Sequence, residues 1–247
     1  MTTMTQTKEN SSWLSWRSTG SAVAVAAALA ILYGYITDPD VTTAVLAASL
    51  RQSTPLVLGA LCGLIGERSG IINIGIEGQM LMAAFIGFLA NVYTGNLFVA
   101  VLAGVGAGAL LGAFLGIMSI GLKMDQIIGG TVINILALGL TSFFYQAGLT
   151  TQGKLQPISL GPLADIPLIG PILFSNPPIT YATLILVALV HFVLFHTRWG
   201  LRTRVIGEHP SAADTVGINV KMMRYVNVTI AGAIAGLAGA YLTLEAV

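Results

Sequence analysis

Hydrophobic positions along this chain come in long blocks, with the polar residues gathered between them. A block of roughly 20 mostly apolar residues can cross a hydrocarbon core as a helix. Seven blocks have this character: residues 21–36, 41–66, 71–90, 97–122, 126–149, 179–195, and 225 to the end. The second is interrupted by Arg51-Gln52-Ser53-Thr54-Pro55, which leaves open one kinked helix or two half-helices. The first follows Lys8 and Arg17, as a signal peptide would, but Asp38-Pro39-Asp40 follows it without a small-residue cleavage site. It reads as an uncleaved anchor. The expected fold class is all-α, a polytopic transmembrane helical bundle of about seven spans.

Composition narrows this further. Of 247 residues, 55% are apolar and 9% charged, whereas soluble domains carry roughly a quarter charged residues. That excludes an ordinary soluble enzyme and a disordered chain. A net charge of +1 offers no basic face for nucleic acid. The lone cysteine, Cys62, forms no internal disulfide and no CxxC site.

Placing the N-terminus in the cytoplasm and alternating sides puts Lys8, Arg17, Arg68, Lys123, Arg198, Arg202, Arg204, Lys221 and Arg224 inside. Lys154 falls outside, and Arg51 lies within the second span. Nine of the eleven basic residues inside support this orientation. The organisation expected is a cytoplasmic tail over 1–20 and a single transmembrane domain over 21–247. That domain includes an external loop at 150–178 and a cytoplasmic loop at 198–224. The chain stops within or just after its seventh block, which reads as a C-terminally incomplete protein.

Catalytic patterns are lacking. The stretch Gly148 to Lys154 imitates the start of a phosphate-binding loop, but Leu155 stands where Ser or Thr must hold magnesium. His191 and His196 are five apart, so they do not share a helix face. No enzymatic activity, metal site or cofactor is expected in this chain.

The polar residues inside the blocks carry more information. Gly104, Gly108, Gly112 and Gly116 form a bare ladder on the fourth span, repeated by Gly232 and Gly236 on the seventh. The expected use is close helix packing. The third span contains Asn73, Glu77 and Gln79. Read as helix, it places Asn73 and Glu77 on one face. A carboxylate at the bilayer centre costs roughly 2.5–3.5 kcal/mol on insertion scales, so it either serves a structural hydrogen bond or lines a pathway. On the fifth span Thr131, Asn134, Thr141 and Tyr145 recur at helical spacing around Leu138, with Asp125 and Gln126 at its cytoplasmic end. That face suits neighbouring helices or a polar solute. Gly129-Gly130 suits a bend there.

The internal loop holds a capped segment, 207–217. Pro210 suits a first helical position and Gly217 an end. Ala212, Ala213 and Val216 form a small apolar patch, and Gly207, Glu208, His209 and Asp214 complete the segment. Such a helix lies on the membrane surface or is presented to a cytoplasmic partner.

Several of these segments resemble the ABC importer permeases of the ribose and branched-chain amino-acid type, nearest the nucleoside (simple sugar) branch. They are Gly66-Glu67-Arg68-Ser69-Gly70-Ile71-Ile72-Asn73-Ile74-Gly75-Ile76-Glu77-Gly78-Gln79-Met80, Asp125 to Asn134, Trp199-Gly200-Leu201-Arg202, Gly207-Glu208-His209-Pro210 and Gly232 to Gly239. The resemblance runs from about Thr42 to Val247. It implies a multi-pass protein of the cell (inner) membrane and a second permease subunit, expected to differ from this one. It also implies a cytoplasmic ABC ATPase, which would bind ATP and magnesium, and an extracytoplasmic solute-binding protein. In the family the segment matching 207–217 docks into the ATPase. Asn73, Glu77, Thr131, Asn134, Thr141 and Tyr145 are then the expected pathway residues for a nucleoside or related sugar-like solute. Family members continue past Val247. The rival expectation is an ion-coupled secondary transporter with Glu77 as its coupling site.

Overall fold

The computed structural model describes residues 6–145 and 148–246, with side chains described from Gly20 onward. Its long helices are α1 (Gln6–Thr37), α2 (Pro39–Arg68), α3 (Ile76–Thr94), α4 (Leu97–Gly116), α5 (Gln126–Phe144), α7 (Pro178–His196) and α10 (Val220–Leu244). Between them lie the short helices α6 (Ile169–Leu173), α8 (Arg198–Glu208) and α9 (Pro210–Thr215). A π-helical turn, Ile117–Gly121, extends α4. Seven described helices are long and apolar enough to cross a membrane, one for each hydrophobic block. α1 already begins at Gln6, so helical backbone runs into the region expected as a tail. α10 begins at Val220, before the apolar block opens.

The chain divides into two compact units. One holds α1, the first part of α2 up to Ser49, and the segment Leu160–Phe174. Within that segment a 3-10 turn, Gly161–Asp165, precedes α6. The other unit begins at Leu50, resumes at Ser175, and contains everything that follows here.

In this larger unit α10 is the central helix, packed against α3, α4 and α8. Its seam with α4 is backbone on backbone. A methyl group added at Gly108 would lie 2.5 Å from the Gly236 nitrogen, and one at Gly232 would lie 2.8 Å from the Gly112 Cα. Gly104 meets Ala83 and Ala240 as well as Gly236, while Gly116 faces the Tyr225 ring instead of a glycine. Small residues let the helices approach this closely without a polar contact.

The proline in α2 does not break the helix, which runs unbroken through Pro55. A proline lacks the N–H that would bond the carbonyl four residues earlier, here that of Arg51. The Tyr241 hydroxyl of α10 donates to that freed carbonyl at 2.5 Å. The guanidinium of Arg51 turns to the loop and donates to the Ser175 carbonyl (2.9 Å) and Asn176 Oδ1 (3.3 Å). There, two-residue strands β1 (Ile158–Ser159) and β2 (Ser175–Asn176) pair antiparallel. Glu245, just past α10, accepts from the first amides of α7 at Ile179 (3.0 Å) and Thr180 (3.2 Å) and from the Thr180 hydroxyl (2.6 Å). A carboxylate suits the positive end of a helix. Burial lifts its carboxyl above the usual range, against the pull of these hydrogen bonds.

One expected helix is shorter than its apolar run. α3 starts at Ile76, and residues 71–75 are non-helical. Gly70 has φ +80, a left-handed conformation that glycine adopts without strain. The chain therefore leaves α2 through a tight turn and continues without regular structure, turning again at residues 74–75, before α3 begins.

Candidate functional site

Backbone that is buried outside a helix must find its hydrogen-bond partners in protein. Side chains of other helices supply them to the stretch after α2. Gln126, the first residue of α5, accepts from the Ile72 amide (2.7 Å) and reaches the Gly70 carbonyl (3.4 Å) through its Nε2. Asn134, two turns further along α5, accepts from the Gly78 amide (2.8 Å) and donates to the Ile74 carbonyl (3.2 Å). α3 opens at Gly75, which has no side chain to cap it. Asn134 thus satisfies one of the free amides at a helix start, a task a capping residue normally performs in its own chain segment. The fit requires glycine on both sides. A methyl group on Gly78 would sit 2.7 Å from Asn134 Oδ1, and one on Gly130 would sit 2.7 Å from the Gly75 nitrogen.

Asn73 belongs to this inner scaffold. Its Oδ1 accepts from the Gly75 amide (3.0 Å), and its Nδ2 donates to Gln79 Oε1 (3.1 Å) and lies 3.7 Å from Cys62 Sγ. It does not share a helix face with Glu77, because α3 has not yet begun at Asn73. A run of apolar residues carries the same hydropathy whether extended or helical, and the expected common face rested on the helical reading.

Two cavities lie along α3. The first, about 440 Å³, has Glu77 at its wall beside Pro55, Gly59 and Met80. Glu77 is exposed in the second position of α3, where the helix dipole favours a carboxylate. The second cavity, also about 440 Å³, is walled by Phe85 and Phe88 of α3, Thr141 and Ser142 of α5, Tyr145, and Thr243 of α10. Both share Leu81 and Ala84. The groove along α3 thus comprises two separate cavities, a carboxylate walling the first and an aromatic pair the second, where the Phe88 and Tyr145 ring centroids are 6.3 Å apart. α5 ends at Phe144, short of the expected boundary, so Tyr145 takes its place from the helix cap. The hydroxyls of Thr141 and Thr243 bond helix carbonyls, at 2.8 Å to Ala137 and 3.2 Å to Ala84 respectively. Both residues wall the second cavity, and each hydroxyl keeps acceptor capacity beyond these bonds.

Of the six expected pathway residues, the structure brings Glu77, Thr141 and Tyr145 to this groove. Asn73 and Asn134 hold backbone instead. Thr131 is exposed on α5, bonds the Ile127 carbonyl (2.9 Å) and walls neither cavity. Phe85, Phe88, Ser142 and Thr243 went unrecognised in the sequence. Ser142 was the most readable of them, since it lies next to Thr141 on the polar side of α5.

The segment 207–217, expected as a single capped helix, is two pieces. Gly207 and Glu208 close α8, His209 is the joint, and Pro210 opens α9. Gly217 has φ +80 and follows the helix, its amide bonding the Asp214 carbonyl at 2.9 Å. The expected apolar patch is divided, because Ala213 is fully buried while Ala212 and Val216 face out with Glu208, His209, Pro210 and Asp214. A shallow depression of about 610 Å³ opens beside α9, bordered by Pro210, Asp214, Lys221 and Arg224. Among the described residues no group of three or more His, Cys, Asp or Glu could hold a metal ion.

Residues 45–247 match the family described as branched-chain amino acid transport system / permease component. The chain belongs to this family and is a multi-pass membrane component of a transport system rather than an enzyme. It is 39% identical over 215 residues to the guanosine ABC transporter permease protein NupQ of Bacillus subtilis (strain 168), covering 81% of this chain and 67% of that one. It is 36% identical to the nucleoside ABC transporter permease protein NupC of Lactococcus lactis subsp. cremoris, covering 79% and 66%. The putative glucose ABC transporter permease protein TsgC13 of Haloferax volcanii is 37% identical, covering 80% and 61%. The matches thus span about three fifths to two thirds of the length of these relatives. No solved structure matches the chain. Membership of an ABC permease family sets aside the ion-coupled secondary transporter.

Proposed function

We propose that this chain is a membrane-spanning subunit of an ATP-driven importer for nucleosides or related sugar-like solutes in the cell (inner) membrane. Its N-terminus lies in the cytoplasm. It works by alternating access with a second permease subunit and receives solute from an extracytoplasmic binding protein. A separate cytoplasmic ABC ATPase, holding ATP and magnesium, docks on the exposed residues of α9 and the end of α8.

The observation that carries the solute reading is the groove along α3. Two phenylalanines and a tyrosine present flat apolar surface to a base, and the hydroxyls of Thr141, Ser142 and Thr243 suit a ribose. Sites of this volume with a few polar groups are typical for small solutes. The relatives named for guanosine and nucleosides point the same way. The orientation rests on the inward bias of basic residues, and the docking reading on the exposure of Glu208, His209, Pro210 and Asp214.

The full chain, tagged in its native host and purified in mild detergent, tests the reading. A stoichiometric ABC ATPase is expected to copurify, and the complex in proteoliposomes is expected to take up guanosine with ATP, with weak competition by glucose. Asp214→Lys is expected to abolish solute-stimulated ATP hydrolysis while leaving the chain in the membrane. Uptake that ignores ATP would sink the proposal, and full stimulation in Asp214→Lys would sink the docking surface.

A further inference from the structure

Two helices end against one cation. α2 closes at Arg68 and α8 at Glu208, and each leaves carbonyls without intrahelical partners at its negative pole. Arg224, in the second turn of α10, donates through Nε to the Ser69 carbonyl (3.0 Å) and through Nη2 to the Ile206 carbonyl (3.1 Å). A guanidinium has the planar fork to hold two acceptors at once, which an ammonium lacks.

Around this cation the two helix ends are in direct backbone contact. A methyl group on Gly207 would strike the Arg68 carbonyl and lie 3.3 Å from the Gly70 nitrogen. One on Gly70 would lie 2.9 Å from the Arg224 Nη2 and 3.4 Å from the Gly207 Cα. The end of α8 therefore cannot shift without carrying the turn at 68–70. That turn is held on its far side by Gln126, which bonds the Ile72 amide and Gly70 carbonyl. Gln126 begins α5, and α5 carries Thr141 and Ser142 into the groove.

We propose that Arg224 is the positioning residue that ties the α8–α9 docking element to the groove, passing its displacement through the 69–72 turn to Gln126 and α5. The inference rests on the reading of α9 as the ATPase contact. It adds that contact alone is not enough. With Arg224 removed, the ATPase still docks and hydrolyses ATP, but its stroke stops at α8. Asn134 and the Gly130–Gly75 contact then keep α5 and α3 moving together once α5 is driven.

The test compares Arg224→Gln, Arg224→Lys and Gln126→Leu with the unaltered chain, each in the native complex with its ATPase and binding protein in proteoliposomes. Copurified ATPase, basal ATP hydrolysis and guanosine imported per ATP are read together. Arg224→Gln is expected to keep the first two and to import about tenfold less solute per ATP, within the usual range of coupling energies. Arg224→Lys, which keeps the charge and hydrogen-bond donors but not the planar fork, is expected to recover part of the ratio. Gln126→Leu, remote from the docking surface, is expected to lower the same ratio. A ratio within about twofold of the unaltered chain in Arg224→Gln overturns the proposal. So does Gln126→Leu importing normally where Arg224→Gln fails to assemble. An unaltered complex with no solute-stimulated hydrolysis would instead overturn the docking reading beneath it.

Discussion

The contact of α4 with α10 and the contact of α3 with α5 bring backbones equally close, and they do it by opposite means. Along α4 and α10 both helices are regular, glycine faces glycine backbone through the middle of the contact, and no polar side chain mediates the approach there. Along α3 and α5 one backbone is unwound, and side chains of the other helix complete its hydrogen bonds. In the first contact an added methyl group already meets backbone, so a larger side chain cannot enter it without pushing the helices apart. The second adds a few directional side-chain bonds to an equally tight approach, and each of those bonds is lost singly when its side chain is changed. A contact sealed by packing and one completed by directional bonds are thus distinguishable by what fills the interface, and the groove borders the helices of the second.

The largest expected effect comes from the packed contact. Gly108→Leu puts four carbons where a single methyl group already lies 2.5 Å from Gly236 backbone. Overpacking at a site that cannot yield belongs among the severe substitutions, about 4 kcal/mol or more. For a chain of this size that corresponds to a fall in Tm of about 10 °C. Thermal unfolding in mild detergent measures it. A shift of under about 3 °C would mean that α4 and α10 can separate, and the contrast between the two contacts would fail.

Asn134→Leu is expected to have a smaller effect on stability and a greater one on activity. It removes an acceptor from the Gly78 amide and a donor from the Ile74 carbonyl, at a cost of about 1–3 kcal/mol for groups left unpaired. Hydrogen exchange at the Gly78 amide is expected to quicken, with α4 and α10 unchanged, and solute uptake to fall. Asn134→Asp keeps the acceptor and loses the donor, so it should restore protection at Gly78. Equal loss of protection across α10 would show that the two contacts unfold as one.

The difference between the contacts also explains what could be read in advance. The α4 ladder was legible because spacing alone puts Gly104, Gly108 and Gly112 on one face, and the partner face carries its own pair, Gly232 and Gly236. The seven spans were legible because hydropathy reports burial in lipid. The helix after Pro210 was legible because Pro and Gly punctuate it at both ends. The 71–75 stretch was not, since Ile71, Ile72 and Ile74 give a non-helical segment the hydropathy of a helix. The cue present was Gly70 and Gly75 bracketing Asn73. The roles of Gln126, Asn134 and Arg224 were hidden for another reason. Their partners are backbone atoms 18 to 155 residues away, and a backbone acceptor leaves no mark on the residue type that offers it. The polar stripe on α5 was visible, but a stripe cannot tell an amide that clasps a neighbour from a hydroxyl that meets solute.

The smallest expected effect tests where the packed contact stops. Thr243 lies near the end of α10, and its hydroxyl bonds the Ala84 carbonyl of α3 and the Gly239 carbonyl, both at 3.2 Å. Both carbonyls also lie within regular helices, so the hydroxyl adds to bonds the helices already make. Thr243→Val keeps the shape and should cost no more than about 1 kcal/mol, with α10 held in place by Gly239 against Met80 and Ala83. The same hydroxyl walls the second cavity, so the KM for guanosine is expected to rise a few-fold, about the worth of one hydrogen bond, with the ATPase content of the complex unchanged. A loss of stability as great as that of Asn134→Leu would make Thr243 part of what holds α10 to α3, and the boundary between the packed contact and the groove would have to be drawn one turn earlier, at Gly239.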